Sequence, residues 1–556
     1  MRNHWRAYLT LFVLIALGFS IGARLLFLQV LNAGFYKALA QGQQGASMVE
    51  KGERGKIFAR DKTGNLVLLA ANQKVPYAFL SPAEILSENE EQVATLLSPL
   101  LTIDQNVILQ KTKNKESFFE VLKKKMTEEE AKAMEALTLE GAHIGWEISR
   151  VYPQGSFASH LLGFVNHEGK GQYGVEGFFD EVLAGKEGVR RNILNPASYF
   201  LGAGESSAEN GKNIILTIDY NIQSLAEALL KRAQENLGAK EGTIIVINPR
   251  TGKILALANT PSFNPNEYAK EKLETFPNAA VEKIYEPGSV FKAITMASAL
   301  EEHAVEPTTT YVDEGILRIG GYKILNYDNR VWGERTMREV LEFSINTGAV
   351  FAATELGHSI FMKFLDKFGI FEKTNVSLPG EVASQNRELR QGYNITLATA
   401  SFGQGIEMTP MQLVRAYSAL ANKGRLVTPF IIEGETPELS QPILSPQTVL
   451  DITSMLVSVT EEGFGKAARV PGYAIAGKTG TAQVSWSALG VQKAGYSDQT
   501  VQSFIGYAPA YNPQMLVLVK LTNPKTKTAE YSAVPLFKEI MKYSLDYLEI
   551  PPDTEQ

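Results

Sequence analysis

An α+β fold is predicted, built on one antiparallel sheet assembled from the two ends of a C-terminal domain, with a helical insert between them. Three observations carry this expectation. Strand-like apolar runs occur at 214–218, 243–248 and 253–258, and again far downstream at 503–507 and 515–521. Helical patterns are read at 223–237 and 533–548, and further apolar helical runs fill the interval. Pro249-Arg250-Thr251-Gly252 is a turn tetrapeptide between two of the strand runs, so 243–258 reads as a hairpin.

From the N-terminus, residues 7–23 (AYLTLFVLIALGFSIGA) carry no charge, with Arg2 and Arg6 before them and Arg24 after. At 1.5 Å per residue this run spans roughly 26 Å, close to the ~30 Å hydrocarbon core, and Arg24 can snorkel outward while Trp5 suits the interface. It reads as a single membrane-spanning helix. A cleaved signal peptide is the alternative, since Ser20-Ile21-Gly22 offers a small-residue site, but LLFLQVL after Arg24 resumes the apolar character. The flanking positive charge places the N-terminus in the cytoplasm and the bulk of the chain outside it. Residues 1–24 are therefore expected to be cytoplasmic tip and anchor, 25–205 a mixed pedestal, and 206–550 the main domain. The pedestal opens with an extended stretch at 52–72 and continues into a charged helical middle at 111–134. LGAGESSAENGKN (201–213) has the composition of a linker.

Composition excludes several classes of function. The chain has 556 residues, enough for three or four domains, and 44% hydrophobic with 21% charged residues is too polar for a multi-pass membrane protein. Lys+Arg 54 against Asp+Glu 60 gives −6, which lacks the basic footprint of a nucleic-acid binder. There is no cysteine, so disulfides, thiolate metal sites and cysteine nucleophiles are out of reach. The six histidines form no close pair, and no metal site or cofactor is expected.

Three motifs in the main domain carry chemistry. Ser289-Val290-Phe291-Lys292 opens an apolar helix (AITMASAL), which puts the serine in a first turn near the helix dipole's positive end and Lys292 on the same face. A lysine at the head of a continuous apolar helix is buried, and burial drives its amine towards the neutral base form. Ser344-Ile345-Asn346 lies between a capping-box helix start, Thr336-Met337-Arg338-Glu339, and the apolar run TGAVFAATEL. Lys478-Thr479-Gly480-Thr481 reads as a strand whose glycine admits close backbone approach and whose cation suits a carboxylate. Taken singly, each also fits a bland account: a turn serine with a surface lysine, loop hydrogen bonds, or a strand-end glycine kink.

In this order, on an exported α+β domain, the three resemble the S-x-x-K, S-x-N, K-T-G set of penicillin-recognising serine enzymes. YEPGSVFK, Gly403-Gln404-Gly405 with Thr409-Pro410 capping a helix, GKTGTAQ, SFIGYAPA and AVPLFKEI are similar to segments of the class B penicillin-binding proteins, as are 54–70 and 149–188 in the N-terminal part. Phe58-Ala59-Arg60-Asp61 departs from the family's tighter Asp-Arg pair. No glycosyltransferase-like E-D-x-x-F segment accompanies them.

The resemblance implies a transpeptidase domain whose sheet has helices on both faces and a helical subdomain, carrying a peptidoglycan D,D-transpeptidase. It further implies Ser289 as nucleophile, Lys292 as base, Ser344 as proton relay and Asn346 as holder of the substrate amide. Lys478, Thr479, Gly480 and Thr481 would form the carboxylate- and strand-binding edge. The implied partners are the stem pentapeptide, β-lactams and a membrane-embedded glycosyltransferase. Among the branches, GKTGTAQ…SFIGYAPA and the terminal YLEIPPD favour division over elongation. A serine β-lactamase and a non-catalytic penicillin-binding sensor or scaffold are the other classes that share the motifs.

Overall fold

The computed structural model describes residues 5–26, 47–50, 52–186, 188–191, 208–435, 439–493 and 495–553. They fall into two compact units, residues 1–55 with 184–212, and 56–183 with 213–556. In the first, Trp5–Leu26 is a single 22-residue helix, and Ser47–Glu50 pairs antiparallel with Gly188–Arg191. The helix's described side chains, at 11–22, are all exposed. Among the described residues no helix is long and apolar enough to cross a membrane, and the anchor stays an expectation of the sequence. Residues 201–207 of the expected linker lie outside the described residues.

The second unit begins with a stalk. Its long strand, Leu66–Leu80, pairs with Ile57–Arg60, with Glu120–Lys123 and over its whole second half with Ala142–Val151. Two expectations are corrected here. The 111–134 section is not helical throughout: helices Gln105–Thr112 and Glu128–Ala136 flank a strand, because Val121 and its neighbours pair with the end of the long strand at Phe79 and Leu80. The strand Ile214–Asp219 does not join the main sheet either. Its edges are taken by Ile57–Phe58 on one side, in parallel, and by Ile431–Ile432 on the other, which closes it into the stalk.

The main sheet has five antiparallel strands: β1 (Glu241–Ile247), β2 (Ile254–Thr260), β3 (Ala476–Ser485), β4 (Tyr496–Ala508) and β5 (Met515–Thr522), in the order β2-β1-β5-β4-β3. Strand alternation sorts its apolar residues onto two faces. Ile244, Val246, Phe504, Val517 and Val519 face one core, which is closed by helix α1 (Tyr220–Leu237) and the C-terminal helix Ala533–Tyr547, with Phe504 and Phe537 ring centroids 4.4 Å apart. Ile245, Ile247, Leu257, Ile505 and Leu518 face the other. That second core is filled by α2 (Lys292–Glu301), α3 (Met337–Glu342), α4 (Asn346–Leu356), α5 (Pro410–Ala421) and α6 (Pro446–Glu461), and it runs without a break into the stalk through Ile57, Ala59, Leu69 and Phe157. The capping boxes at Thr336 and Thr409 form in both directions, each side chain bonded to the N3 backbone and the N3 side chain returning the bond.

Candidate active site

A cleft of about 860 Å³ opens where β3 meets the start of α2 and the α3–α4 junction. Ser289, Ser344, Asn346, Thr479 and Thr481 line it, while Lys292, Lys478 and Gly480 lie buried directly behind that lining. All eight residues singled out in the sequence thus gather around one cavity.

The segment before α2 is a 3₁₀ turn, Gly288–Phe291, that feeds the α-helix at Lys292. Gly288 has φ +63°, a conformation glycine adopts without strain, and its N–H donates to the Gly403 carbonyl at 2.9 Å. A Cβ on Gly403 would stand 2.1 Å from the Gly288 carbonyl oxygen, so the 403–405 turn packs backbone against backbone under the loop that carries Ser289. Tyr417, buried on α5, donates its hydroxyl to the Val290 carbonyl. Together these contacts fix the serine's position along the cleft.

Lys292 is 1% exposed. Its ammonium donates to the Ser344 carbonyl at 2.5 Å, the Ser344 hydroxyl at 3.2 Å and Asn346 Oδ1 at 2.7 Å. Burial, and secondarily the charge of Lys478, holds this amine well below the ordinary lysine value. Ser344 itself sits at φ +54°, the left-handed region, which turns its carbonyl back towards Lys292. Asn346 is braced in turn: its N–H donates to Asn326 Oδ1 (3.0 Å), Asn326 Nδ2 donates to Asp313 (2.9 Å), and Thr347 Oγ1 donates to the same carboxylate (2.6 Å).

On β3, Lys478 is fully buried and donates to its neighbour Thr479, to the carbonyl at 3.2 Å and the hydroxyl at 3.4 Å. Burial pushes it down to about 7. Gly480 has no room for a side chain, because a Cβ there would meet Ser503 Oγ at 2.5 Å and Val290 Cγ1 at 2.9 Å. The turn that carries Ser289 therefore rests on the strand itself. Three residues before Ser289, Glu286 accepts from the Tyr496 hydroxyl at 3.4 Å, and burial pushes its carboxyl up to about 7. Tyr417, Tyr496 and Glu286 were not singled out in the sequence: each sits inside an ordinary helical, strand or turn pattern, and only the fold brings them to the site. Among the described residues no three histidine, aspartate or glutamate side chains are grouped to hold a metal ion.

A serine hydroxyl lining a cleft backed by a buried lysine, whose basicity is lowered by burial and secondarily by a second lysine on the adjoining strand edge, is an arrangement for acyl transfer. Residues 242–542 match the family model described as penicillin binding protein transpeptidase domain, and 49–216 match the penicillin-binding protein dimerisation domain. The chain is a class B penicillin-binding protein, a peptidoglycan D,D-transpeptidase. Similar class B penicillin-binding proteins include the probable peptidoglycan D,D-transpeptidase PbpC of Pseudomonas aeruginosa, 32% identical across 100% of this chain and 97% of that protein. Stage V sporulation protein D of Bacillus subtilis is 31% identical over 96% of this chain and 84% of its own length. Among solved structures, penicillin-binding protein 3 of Mycobacterium tuberculosis superposes with a TM-score of 0.69 at 26% identity, covering 91% of this chain and 98% of that one. The same protein complexed with aztreonam gives a TM-score of 0.68 at 25% identity, with 91% and 98% coverage.

Proposed function

We propose that Ser289 attacks the carbonyl between the two terminal D-alanines of a stem pentapeptide, that the last residue leaves, and that an amine on a neighbouring stem resolves the acyl-enzyme into a cross-link. The observation that carries the assignment is the Lys292 amine, buried at the head of α2 and shared between Ser344 and Asn346 in the cleft that Ser289 lines. Desolvated and near a second cation, Lys292 takes the serine proton. Ser344 relays a proton to the leaving amine. Asn346 turns its side-chain N–H from the Leu325 carbonyl, which it meets at 2.8 Å, to the substrate backbone. Lys478, Thr479 and Thr481 receive the terminal carboxylate, Gly480 keeps the strand bare, and the N–H groups of Ser289 and Thr481 form the oxyanion hole. No metal or cofactor enters these steps.

A β-lactam would be held by the same groups, which the aztreonam complex of the Mycobacterium tuberculosis relative supports. The enzyme is read as held by residues 7–23, with a cytoplasmic N-terminus and the catalytic unit outside. The uncharged run itself and the full exposure of residues 11–22 support this. Residues 25–205 then serve as the pedestal and 206–550 as the transpeptidase domain, with surfaces such as 149–188 offered to a membrane-embedded glycosyltransferase. GKTGTAQ…SFIGYAPA and YLEIPPD favour septal over side-wall synthesis.

Ser289→Ala tests the assignment. It should abolish labelling by a fluorescent penicillin while leaving the thermal transition in place. A variant that still takes up the label removes Ser289 from the mechanism. Concentration of the tagged protein along the side wall rather than at the septum would overturn the division reading alone.

A further inference from the structure

Three lysines are buried among the described residues, and the motifs account for only two of them, Lys292 and Lys478. The third, Lys520, is 5% exposed, two residues from the C-terminal end of the central strand β5. The register places it in a row that crosses the whole sheet: Gly480 lies opposite Ser503, Ser503 opposite Lys520, Lys520 opposite Thr243, and Thr243 opposite Asn259. Lys478 stands two residues before Gly480, so Lys478 and Lys520 project from the same face, two strands apart and about 12 Å from one another by strand spacing and rise. That face is the one on which the nucleophile turn rests.

Among the described residues the amine of Lys520 has no carboxylate as a hydrogen-bond partner. Its Nζ donates to Thr522 Oγ1 at 3.4 Å and stands 4.9 Å from the centroid of the Tyr285 ring. The nearby Glu241 carboxylate is already engaged by Lys283 at 2.7 Å. Burial lowers Lys520 only to about 8, so it is mostly a cation at neutral pH. Tyr285 opens the turn that carries Ser289, and its backbone is pinned to Met408 by N–H to O contacts of 2.9 and 3.1 Å in the two directions. Its hydroxyl, buried, has no hydrogen-bond partner among the described residues, which leaves the ring face as the group that Lys520 engages.

We infer that Lys520 is a positioning residue for acylation, holding the Tyr285 ring by a cation–π contact and through it the turn that aims Ser289 into the cleft. A buried cation with a ring face and one long hydroxyl contact costs stability relative to an apolar side chain of the same length. The inference rests on Ser289 being the nucleophile. It deepens that reading by extending the site to a strand that carries no motif.

The test compares the full-length protein with Lys520→Met, Lys520→Arg, Tyr285→Leu and the Lys520→Met/Tyr285→Leu double variant, using a fluorescent penicillin as the probe and Ser289→Ala as the control. Lys520→Met should melt no lower than the wild type, yet form the acyl-enzyme roughly tenfold more slowly with unchanged pre-covalent affinity. Arginine, which keeps the charge and stacks on aromatic faces, should restore part of the rate. Tyr285→Leu should show the same defect, and the double variant should lose no more than the worse single one. A wild-type acylation rate in Lys520→Met, losses that multiply in the double variant, or failure of Lys520→Met to fold would each overturn the inference. Label that persists in Ser289→Ala would instead sink the nucleophile assignment beneath it.

Discussion

In the N-terminal part of the second unit, Arg150 and Glu176 are buried as a pair, with Nε 2.7 Å from Oε1 and side chains 3% and 0% exposed. The cleft buries charge differently. Lys292 and Lys478 are as deeply enclosed, yet their hydrogen-bond partners are neutral oxygens of Ser344, Asn346 and Thr479. In the stalk the countercharge stands in the fold, Tyr152 adds its hydroxyl to Glu176 at 3.3 Å, and the network joins the Ala142–Val151 strand to the short helix Gly174–Phe178. In the cleft, burial holds Lys292 towards the neutral amine, and on the proposed reading Lys478 takes its countercharge from the substrate. The difference separates charge that holds the fold from charge kept available for chemistry, and it gives opposite signs for the effect of neutralising each.

The largest expected effect comes from Lys292→Met, which should slow acylation by about 10²–10⁴-fold if Lys292 is the proposed base, since a nucleophile and its base act as a unit. Its melting temperature should hold or rise, because a buried amine with no carboxylate among its described partners is removed. Acylation kinetics beside calorimetry read both. Glu176→Gln should do the reverse: stranding Arg150 costs about 3–5 kcal/mol of stability, while the folded fraction acylates at the wild-type rate. If both variants lost stability alike, the contrast between the two regions would collapse.

Lys478 sharpens the comparison through pH. Its amine, held near 7 by burial, is protonated below that value and neutral above it. A penicillin with a free carboxylate should therefore acylate faster than its carboxyl ester at pH 6, by about tenfold for one charged contact, and the advantage should shrink as pH rises through 7 towards 9. Equal rates for acid and ester at pH 6 would contradict a carboxylate-reading role. The smallest effect belongs to the Arg60–Glu433 pair, whose side chains are 37% and 29% exposed. Glu433→Ala should change stability by less than about 1 kcal/mol, and chemical denaturation would register anything larger.

The sequence exposed the site better than the scaffold. Lys292 could be placed because a charged residue heading an unbroken apolar helix has only one environment open to it, and Gly480 because a glycine in a strand marks a close approach. By the same reasoning Lys520, inside MLVLVKLT, could have been read as a buried amine, but no motif drew attention to it. The hairpin 243–258 and the downstream strands were legible from short apolar runs and the turn tetrapeptide at 249–252, and pair as expected around β1 and β5. The partner of Ile214–Asp219 was not, since a strand's propensity says nothing of whether its neighbour comes from residue 57 or from residue 254. Glu120–Lys123 was hidden by the surrounding charge, although its pairing with the long strand overrides that local signal.

Gly288 bears on how the enzyme comes into being. It is bonded to Gly403, a Cβ on it would stand 2.7 Å from Ala482 Cβ, and Gly480 of the same strand would crowd Val290. These neighbours come from distant parts of the chain, so none of them can be in place while only a local segment has folded. Ser289 and the N–H groups proposed as oxyanion donors therefore come into register only once β3 has paired with β4 and the 403–405 turn has closed underneath. A chain caught part-way, with its helices formed and its sheet open, has a serine but no reactive centre. Covalent uptake of a penicillin is on this account a measure of completed folding, and its time course after dilution from denaturant should lag behind the recovery of helical signal.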